Sequence, residues 1–252
     1  MNTIPPTKIF FASDAHFGFP GYEESLIREK LFVKWLDKIS DEASEIYLLG
    51  DIFDFWFEYR KAVPRGFTRL MGKLGSITDR GIPVHFFTGN HDVWVFDYLP
   101  GETGVIVHRE PYTIIRNGKK IFMAHGDGLG PGDRNFKRLK KVFTNLTAQW
   151  LFQKLHPNTG IGFAHHWSFN SRYSQGDIPP FKGENEWLVI YSRELLLTQH
   201  YDFMIYGHRH LAIEYLLGEN TKFIILGDWM KQFTYAVFHE ENLTLKKFTN
   251  DE

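Results

Sequence analysis

Five short polar clusters, each directly after an apolar run, restrict how this chain can fold. The runs are IFFAS, IYLLG, VHFFTG, KIFMA and DFMIYG, and they are typical of buried strands. The clusters are Asp14-x-His16, Gly50-Asp51-x-x-Asp54, Gly89-Asn90-His91-Asp92, His125-Gly126-Asp127 and Gly207-His208-x-His210. Because neighbouring parallel strands end at the same edge of a sheet, this pattern predicts one shared polar site.

The first half of the chain alternates apolar runs with amphipathic stretches. Strands are predicted at residues 8–13, 44–49 and 84–88, and helices at residues 23–39 and 67–80. Strand, helix, strand, helix, strand in this order favours a parallel sheet with right-handed crossovers. The first three polar clusters would then lie beyond the carboxyl ends of the strands, where ligands bind in such sheets.

After residue 104 the pattern changes to short strands, with a hairpin around Asn117-Gly118 and a later helix at residues 186–200. The last strands, at 202–206, 213–217, 222–226, 235–239 and 243–248, resemble an antiparallel meander. Residues 130–184 interrupt the alternation with a basic, aromatic helical segment and a run rich in Gly, His and Pro. We therefore predict one α/β domain over residues 1–252. It would consist of two packed mixed β-sheets flanked by helices, with a helical cap inserted at about residues 130–184.

The composition limits the chemistry of the predicted site. The 252 residues include no cysteine and 12 histidines, so a metal ion would be bound by oxygen and imidazole nitrogen. The 29 basic and 30 acidic side chains give a net charge of -1, which argues against a nucleic-acid partner. The N-terminus lacks a signal-peptide pattern, and no apolar run approaches the roughly 18 residues of a membrane span. We therefore expect a cytoplasmic protein, with peripheral membrane contact left open.

Each polar cluster alone has an ordinary interpretation as a turn, a helix cap or a surface pair. Asp54 is more typical of a group that supports a ligand, and His85 of a hydrogen-bonded core histidine. The occurrence of all five clusters in one chain, each directly after a predicted buried strand, favours a common metal site instead. The candidate ligands are Asp14, His16, Asp51, Asn90, His125, His208 and His210. They are too many for one four-coordinate ion and suit two divalent ions that share a carboxylate, with Mn²⁺, Fe²⁺ and Zn²⁺ all acceptable.

Two such ions suit a particular class of reaction. At a separation of about 3.5–4 Å they hold the attacking and leaving oxygens of a displacement at phosphorus, and they lower the pKa of water. The remaining need is positive charge near the phosphoryl oxygens, which His91 is placed to supply. The sequence therefore predicts a metal-dependent hydrolase of phosphoric esters.

In order, D-x-H, G-D-x-x-D, G-N-H-D, a later H-G and G-H-x-H resemble the motifs of the calcineurin-like metallophosphoesterases. These motifs span residues 14–210, and the resemblance implies the two-sheet sandwich of that family. It implies two ligand sets, which are Asp14, His16, Asp51 and His210 for one ion, and Asp51, Asn90, His125 and His208 for the other. It also implies that His91, with Asn90, acts on the leaving group or the phosphoryl oxygens.

A narrower resemblance is to the UDP-2,3-diacylglucosamine pyrophosphatases. It rests on residues 48–56 (LLGDIFDFW), on HGDGL at 125–129 with Asp133 after it, and on ILGDW at 225–229. That family cleaves the diphosphate of UDP-2,3-diacylglucosamine to UMP and 2,3-diacylglucosamine 1-phosphate in lipid A biosynthesis. It typically uses Mn²⁺ and acts at the cytoplasmic face of the inner membrane. The resemblance implies the same reaction, metal, nucleotide-linked lipid substrate and peripheral membrane contact here.

The predicted cap combines apolar and basic residues. Its apolar residues at helical spacing are Phe143, Leu146, Trp150, Leu151, Phe152 and Leu155, beside the basic residues Lys137, Arg138, Lys140 and Lys141. In the pyrophosphatases a helical cap receives the acyl chains, and this composition suits a lipid at an anionic surface. The alternative is an ordinary core under a basic solvated face. The resemblance adds Asp133 to Asn90 and His91 as substrate-binding residues, and the cap residues Asn170, Ser171 and Arg172 are further candidates.

One residue departs from the narrower family. His91 stands where the best-known pyrophosphatases carry Arg, so a broad-specificity phosphodiesterase or phosphatase of the same superfamily is the alternative. A more remote alternative is a non-catalytic interaction protein on this fold. Such proteins lose metal ligands, whereas this chain retains the residues of every motif. The sequence does not predict the oligomeric state.

Overall fold

The computed structural model describes residues 7–131, 134–175 and 178–249. In these residues the strands are β1 (Lys8–Ala12), β2 (Ala43–Leu49), β3 (Val84–Phe87), β4 (Ile106–His108), β5 (Tyr112–Arg116), β6 (Lys119–Ala124), β7 (Phe203–Tyr206), β8 (Ala212–Leu217), β9 (Thr221–Leu226), β10 (Thr234–His239) and β11 (Asn242–Lys247). The α-helices are α1 (Tyr22–Ser40), α2 (Thr68–Asp79), α3 (Tyr98–Thr103), α4 (Arg134–Phe143), α5 (Leu146–Gln153), α6 (Pro157–Gln175) and α7 (Trp187–Leu196), and a 3₁₀ turn spans Gly183–Asn185.

The strands form two mixed sheets. The first has the order β11-β10-β1-β2-β3-β4, in which β1 to β4 are parallel and β10 is antiparallel to β1. The second has the order β5-β6-β7-β9-β8, in which β6, β7 and β9 are parallel. The predicted fold class and parallel first half are confirmed. The predicted hairpin is also confirmed, because β5 and β6 pair antiparallel across Asn117 and Gly118, which both have positive φ.

The side-chain alternation of the strands explains how the layers pack. In β1, Ile9 and Phe11 point towards the second sheet and join a core with Ile205 and Leu226. Phe10 points the other way and packs in the core that α1 and α2 cover. The outer face of the second sheet is covered by α7. The result is a helix–sheet–sheet–helix sandwich in which β1 to β3 and β6, β7 and β9 are buried.

The predicted antiparallel meander at the C-terminal end is wrong. The strand β7 pairs in parallel with both β6 and β9, and β8 lies at the edge of that sheet. The strands β10 and β11 leave this sheet and extend the first one through β1. The apolar runs predicted the strands well but not their partners, because a run that is buried on both faces has no preference for one neighbour.

The insertion is helical, as predicted, and consists mainly of three helices in the part that the structure describes. The basic segment divides into α4 and α5, since the Asn145 side chain accepts hydrogen bonds from the backbone N–H groups of Thr147 and Ala148 and so begins a new helix. The Gly-, His- and Pro-rich run, to which the sequence analysis assigned no particular element, is mostly α6, which begins at Pro157, a favoured first helical residue. We call α4 to α6 the cap; its status as a separate unit stays a prediction. None of the described helices has the length and apolar character to cross a bilayer.

A histidine pair, of which one ring is buried and the other half-buried, lies on the neighbouring strands β3 and β4. His85 Nδ1 and His108 Nε2 are 2.8 Å apart, and the His85 ring stacks on Tyr47 with centroids 4.3 Å apart. The prediction of a hydrogen-bonded core histidine is thus confirmed. Burial, with a smaller contribution from His108, lowers the pKa of His85 to about 4.

The substitution His85→Gln is expected to remove part of the acid sensitivity of folding. Between about pH 6.5 and about pH 4, His85 binds a proton in the unfolded chain and not in the folded one. Wild-type stability is therefore complete above this window and decreases through it as the pH falls, by at most about 3 kcal/mol for this partly solvated ring. The amide of Gln can still hydrogen-bond His108 but does not titrate. Urea unfolding of both proteins across the window measures the difference, and identical pH profiles would contradict the prediction.

Candidate metal centre

The polar clusters converge at the carboxyl ends of the parallel strands of both sheets. Asp14 and His16 follow β1, Asp51 follows β2, and His125 follows β6. Asn90 and His91 follow β3, and His208 and His210 follow β7. The structure brings all the described candidate ligands to this one edge.

Backbone hydrogen bonds connect the ligand loops. Asp14 N–H donates to Gly50 O at 3.1 Å, and His16 N–H donates to Asp51 O at 3.0 Å. The two sheets are joined at the same place, because His208 N–H donates to the Asp14 carboxylate at 2.9 Å. These bonds hold the loops of β1, β2 and β7 in fixed register, so the side chains are positioned by rigid backbone.

Most of the candidate ligands have an unusual backbone conformation. Those with positive φ are Asp14, His16, Asp51, His208 and His210, with values between 45° and 67°. A residue with a Cβ in this left-handed region is strained, and such residues are concentrated at functional sites. Motif spacing gave no indication of this strain, which the hydrogen-bonded loops sustain.

Among the described residues, the ligand atoms form overlapping groups, and within each group every atom lies within 4.8 Å of the others. The groups are Asp14/His16/His210, His16/Asp51/His91 and Asp51/His125/His208. His16 Nε2 lies 3.8 Å from Asp14 Oδ1 and 3.6 Å from Asp51 Oδ2. His125 Nε2 approaches the same Asp51 oxygen to 3.3 Å and Asn90 Oδ1 to 3.3 Å. Buried carboxylate oxygens and imidazole nitrogens in two groups that share Asp51 fit a pair of divalent ions.

The far side of two histidine rings is held by a hydrogen bond to a backbone carbonyl, and a third ring faces a carboxylate. The Nδ1–H group of His125 donates to Leu49 O at 2.7 Å, and that of His91 donates to Asp54 O at 2.8 Å. His210 Nδ1 faces Asp228 Oδ2 at 4.0 Å. Because an acceptor behind Nδ1 sets the tautomer and the ring orientation, Nε2 is directed at the centre. Asp228 belongs to the ILGDW segment, which the sequence singled out without a role.

The charges of the centre are strongly coupled. Burial raises the pKa of Asp14 to about 7, with His125 opposing and Asp51 adding to the rise. For Asp51 the effect of burial is outweighed by His125, His91 and His16, which hold the pKa of that carboxyl well below its usual range. For His125 burial is outweighed by Asp51, and its pKa is raised to about 10. Without metal, a positive charge is thus favoured beside Asp51, where a bound cation would replace the proton.

The Asp92 side chain connects the loop that carries Asp51 to the loop that carries Asn90 through hydrogen bonds. Its carboxylate accepts hydrogen bonds from Gly89 N–H at 2.7 Å, from Ile52 N–H at 2.8 Å, and from two further backbone N–H groups. Burial, followed by repulsion from Asp51, raises the pKa of Asp92 to about 7. Asp92 is therefore a structural member of its motif that connects β2 to β3.

Glycines beside the ligands serve two different purposes. Gly50 has a φ of +85° and turns the chain after β2, as expected from the sequence. Gly89 and Gly207 have no positive φ, and what they provide is space. A Cβ at Gly89 would lie 2.7 Å from Asp51 N and even closer to Asp51 Oδ1, and one at Gly207 would lie 2.7 Å from Asp14 Oδ2.

The substitution Gly89→Ala is expected to abolish most metal binding without unfolding the protein. The added methyl group would displace the Asp51 carboxylate, which belongs to one ligand group with His16 and to another with His125. Gly72→Ala in α2 is the matched control, since its Cβ would meet nothing within 4 Å. It is expected to raise stability by up to about 1 kcal/mol, as Ala favours helix. Metal content by mass spectrometry and thermal melting test both; a Gly89→Ala protein with normal metal content would contradict the prediction.

The side chains of the predicted substrate residues of the cap lie outside the described part of the structure. Asp133 is not described, and for Asn170, Ser171 and Arg172 only the helical backbone of α6 is. Their roles therefore stay predictions.

The apolar residues of the cap divide into two groups. Phe143 and Phe152 pack on Trp94, with ring centroids about 5 Å apart, and Trp94 Nε1 donates to Phe143 O at 2.7 Å. Leu146, Trp150 and Leu151 are instead 80%, 55% and 56% exposed. The alternative of an ordinary core therefore holds for Phe143 and Phe152. The exposed residues Leu146, Trp150 and Leu151 form an apolar ridge on α5.

Sequence reasoning missed a buried ion pair beside the centre. Arg209, between His208 and His210, donates to Glu186 at 3.0 Å and stacks over Trp187 at 4.7 Å. It ties the last ligand loop to the start of α7. The arginine within the G-H-x-H motif, directly after a buried strand, was the available signal, because buried arginines in proteins are paired.

Two mixed sheets with an oxygen and imidazole centre at their strand ends define a metal-dependent phosphoesterase. The chain belongs to the calcineurin-like phosphoesterase family, whose family model matches residues 7–212. A relative from Porphyromonas gingivalis, named UDP-2,3-diacylglucosamine hydrolase, is 39% identical over 98% of this chain and 99% of its own. A protein of the same name from Shewanella baltica is 26% identical over 95% and 96% of the two chains. Among solved structures, a dimetal phosphatase from Danio rerio covers 96% of each chain at 13% identity, with a TM-score of 0.48.

Proposed function

We propose that this chain hydrolyses the diphosphate of UDP-2,3-diacylglucosamine, releasing UMP and 2,3-diacylglucosamine 1-phosphate in lipid A biosynthesis. The observation that carries the proposal is the centre itself, in which Asp51 belongs to one ligand group with His16 and another with His125. The substrate follows from the full-length relative in Porphyromonas gingivalis.

The geometry supports the following assignment of the ligands. One ion would be held by Asp14, His16, Asp51 and His210, and the other by Asp51, Asn90, His125 and His208. When bound, a pair of divalent ions draws electron density from the phosphoryl oxygens and acidifies water. Mn²⁺ is the ion we propose, with Fe²⁺ and Zn²⁺ compatible with the same ligands.

His91 is proposed to act on the substrate. Its backbone N–H donates to Asp51 Oδ1 at 2.9 Å, and its Nδ1–H donates to Asp54 O, so one hydrogen bond fixes the backbone and another fixes the ring. Nε2 is then left for a phosphoryl oxygen or the leaving oxygen, to which a protonated ring would donate. Asn90 is proposed to assist His91 as a ligand beside it, since Asn90 Oδ1 lies 3.3 Å from His125 Nε2, as two ligand atoms of one ion would.

The exposed ridge of α5 is proposed to contact acyl chains or the membrane surface. Lys154 lies over the Trp150 ring at 5.0 Å, so a cation borders the apolar surface. Exposed apolar side chains next to basic ones suit a lipid substrate presented at an anionic bilayer. Peripheral contact with the cytoplasmic face of the inner membrane is part of this proposal.

The direct test is incubation of purified protein and Mn²⁺ with UDP-2,3-diacylglucosamine, followed by quantification of UMP. Release is expected with Mn²⁺ and not after chelation. If UMP stays at the chelated level while an aryl phosphate is hydrolysed, the proposed substrate is wrong.

A second candidate is a broad-specificity phosphodiesterase or phosphatase. It is favoured by His91, because this position is Arg in the best-known pyrophosphatases that the sequence resembles. Comparing kcat/KM for acylated and unacylated UDP-sugars distinguishes the two: equal values support the broad enzyme, and a strong preference for the acylated substrate supports the pyrophosphatase.

A further inference from the structure

A buried hydrogen bond joins the cap to the loop that follows β2. Ser168 Oγ, on α6, donates to Asp54 Oδ2 at 2.9 Å. The two residues are 4% and 2% exposed. A hydrogen bond to a carboxylate that water does not reach is stronger than a neutral surface bond. The cap therefore contacts the surroundings of the metal centre through a specific polar pair as well as through apolar packing.

The same carboxylate lies behind two rings of the centre. Asp54 Oδ1 is 3.6 Å from His16 Nδ1 and 3.8 Å from His91 Nδ1. Its backbone carbonyl also accepts the hydrogen bond from His91 Nδ1–H. Asp54 thus connects Ser168 to a proposed metal ligand and to the residue proposed to act on the substrate.

The position of Ser168 on α6 follows from the way this helix lies on the domain. Ile161 and Ala164 pack on the aromatic cluster of Phe55, Phe57 and Tyr59. Ala164 is three residues after Ile161 and Ser168 is four residues after Ala164, so all three lie on the same face of the helix. α6 also lies very close to the domain, since a Cβ at Gly160 would overlap Tyr59 Oη. The hydroxyl of Ser168 therefore reaches Asp54 when this face is in contact.

We propose that Ser168 is a positioning residue that acts through Asp54, so that contact of the cap with the domain sets the orientation of His16 and His91. The terminal torsion of an aspartate is broad, and a hydrogen bond to one oxygen restricts where the other oxygen lies. A carboxylate behind an imidazole in turn sets the orientation and basicity of that ring. This inference rests on the proposed metal centre and adds a connection between the cap and that centre.

The test compares Ser168→Ala with Thr159→Ala, which removes an exposed hydroxyl from the same helix. Mn²⁺ binding by calorimetry and kcat and KM on a water-soluble aryl phosphate are measured for both. For Ser168→Ala we expect one of the two Mn²⁺ ions to bind about three- to tenfold more weakly, somewhat less than the loss typical of a direct partner of a ligand. We expect kcat to fall with KM unchanged. Ser168→Thr, which keeps the hydroxyl, is expected to recover both quantities, and Thr159→Ala to match the wild type.

A double-mutant cycle with Asp54→Asn separates this role from general packing. If Ser168 acts through Asp54, the double variant binds Mn²⁺ no more weakly than Asp54→Asn alone, whereas independent effects would multiply. Wild-type affinity in Ser168→Ala, or multiplying losses in the double variant, would overturn the inference. Should Ser168→Ala melt at a lower temperature, Ser168→Thr and Asp54→Asn still decide it. Failure of the wild type to release UMP would instead refute the proposed substrate and leave the Mn²⁺ comparison valid.

Discussion

Asp51→Ala is expected to lose hydrolytic activity by about 10³-fold or more, together with tight binding of both metal ions. Asp51 Oδ2 lies 3.6 Å from His16 Nε2 and 3.3 Å from His125 Nε2, so its removal leaves both ligand groups incomplete. It also leaves buried histidines without their counter-charge, since Asp51 is what raises the pKa of His125. Metal content by mass spectrometry and initial rates at saturating Mn²⁺ measure the two effects.

The control for this variant is Asp79→Ala, which removes an exposed carboxylate from α2. It is expected to keep about two ions per chain and the wild-type rate. If Asp51→Ala kept both ions, the shared carboxylate would be wrong. If it lost a single ion, Asp51 would belong to one site only.

His91→Ala is the second substitution with a large expected effect. It should keep both metal ions and lose about 10²-fold in kcat, because a donor to the phosphoryl or leaving oxygen is removed while the ligands stay. The Asp51 carboxylate keeps its hydrogen bond, since the donor is the backbone N–H of residue 91. Steady-state kinetics and metal analysis of the same preparation check this prediction.

The exposed His200 provides the matched control for the loss of an imidazole. His200→Ala is expected to leave kcat and metal content unchanged. Loss of metal from His91→Ala as severe as that from Asp51→Ala would show that His91 is a ligand. The short distances within the His16, Asp51 and His91 group make this outcome the specific alternative.

Much of the candidate site could be predicted because its information is local. Each polar cluster comes directly after a buried strand, and parallel strands carry such clusters to one edge whatever the rest of the chain does. The absence of cysteine restricted the ligands to oxygen and imidazole. Asp54 was predicted to be a supporting group, and it lies 3.6 Å behind His16 as such a group would. The roles of the individual ligands still await the substitutions above.

The prediction failed where the answer depends on distant parts of the chain. The β10 strand reads like its neighbours, yet it pairs with β1, more than two hundred residues earlier. No particular helix was predicted for the run that contains α6, because its glycines and histidines oppose helix formation when packing is ignored. Its contact with Phe55 and Phe57 provides the tertiary packing that stabilises the helix.

The strands, the polar residues at their ends and the kinds of atoms that could hold a metal were all predictable from short stretches of sequence. The alternation of apolar residues and the spacing of a motif involve only neighbouring residues, so they can be recognised without knowledge of any long-range contact. Three other features depend on tertiary packing, namely the sheet that each C-terminal strand joins, the lack of room for a side chain at Gly89, and the contact of Ser168 in the cap with Asp54. The physical reason is that close approach between distant segments depends on how whole layers pack, and no short stretch of sequence carries that information.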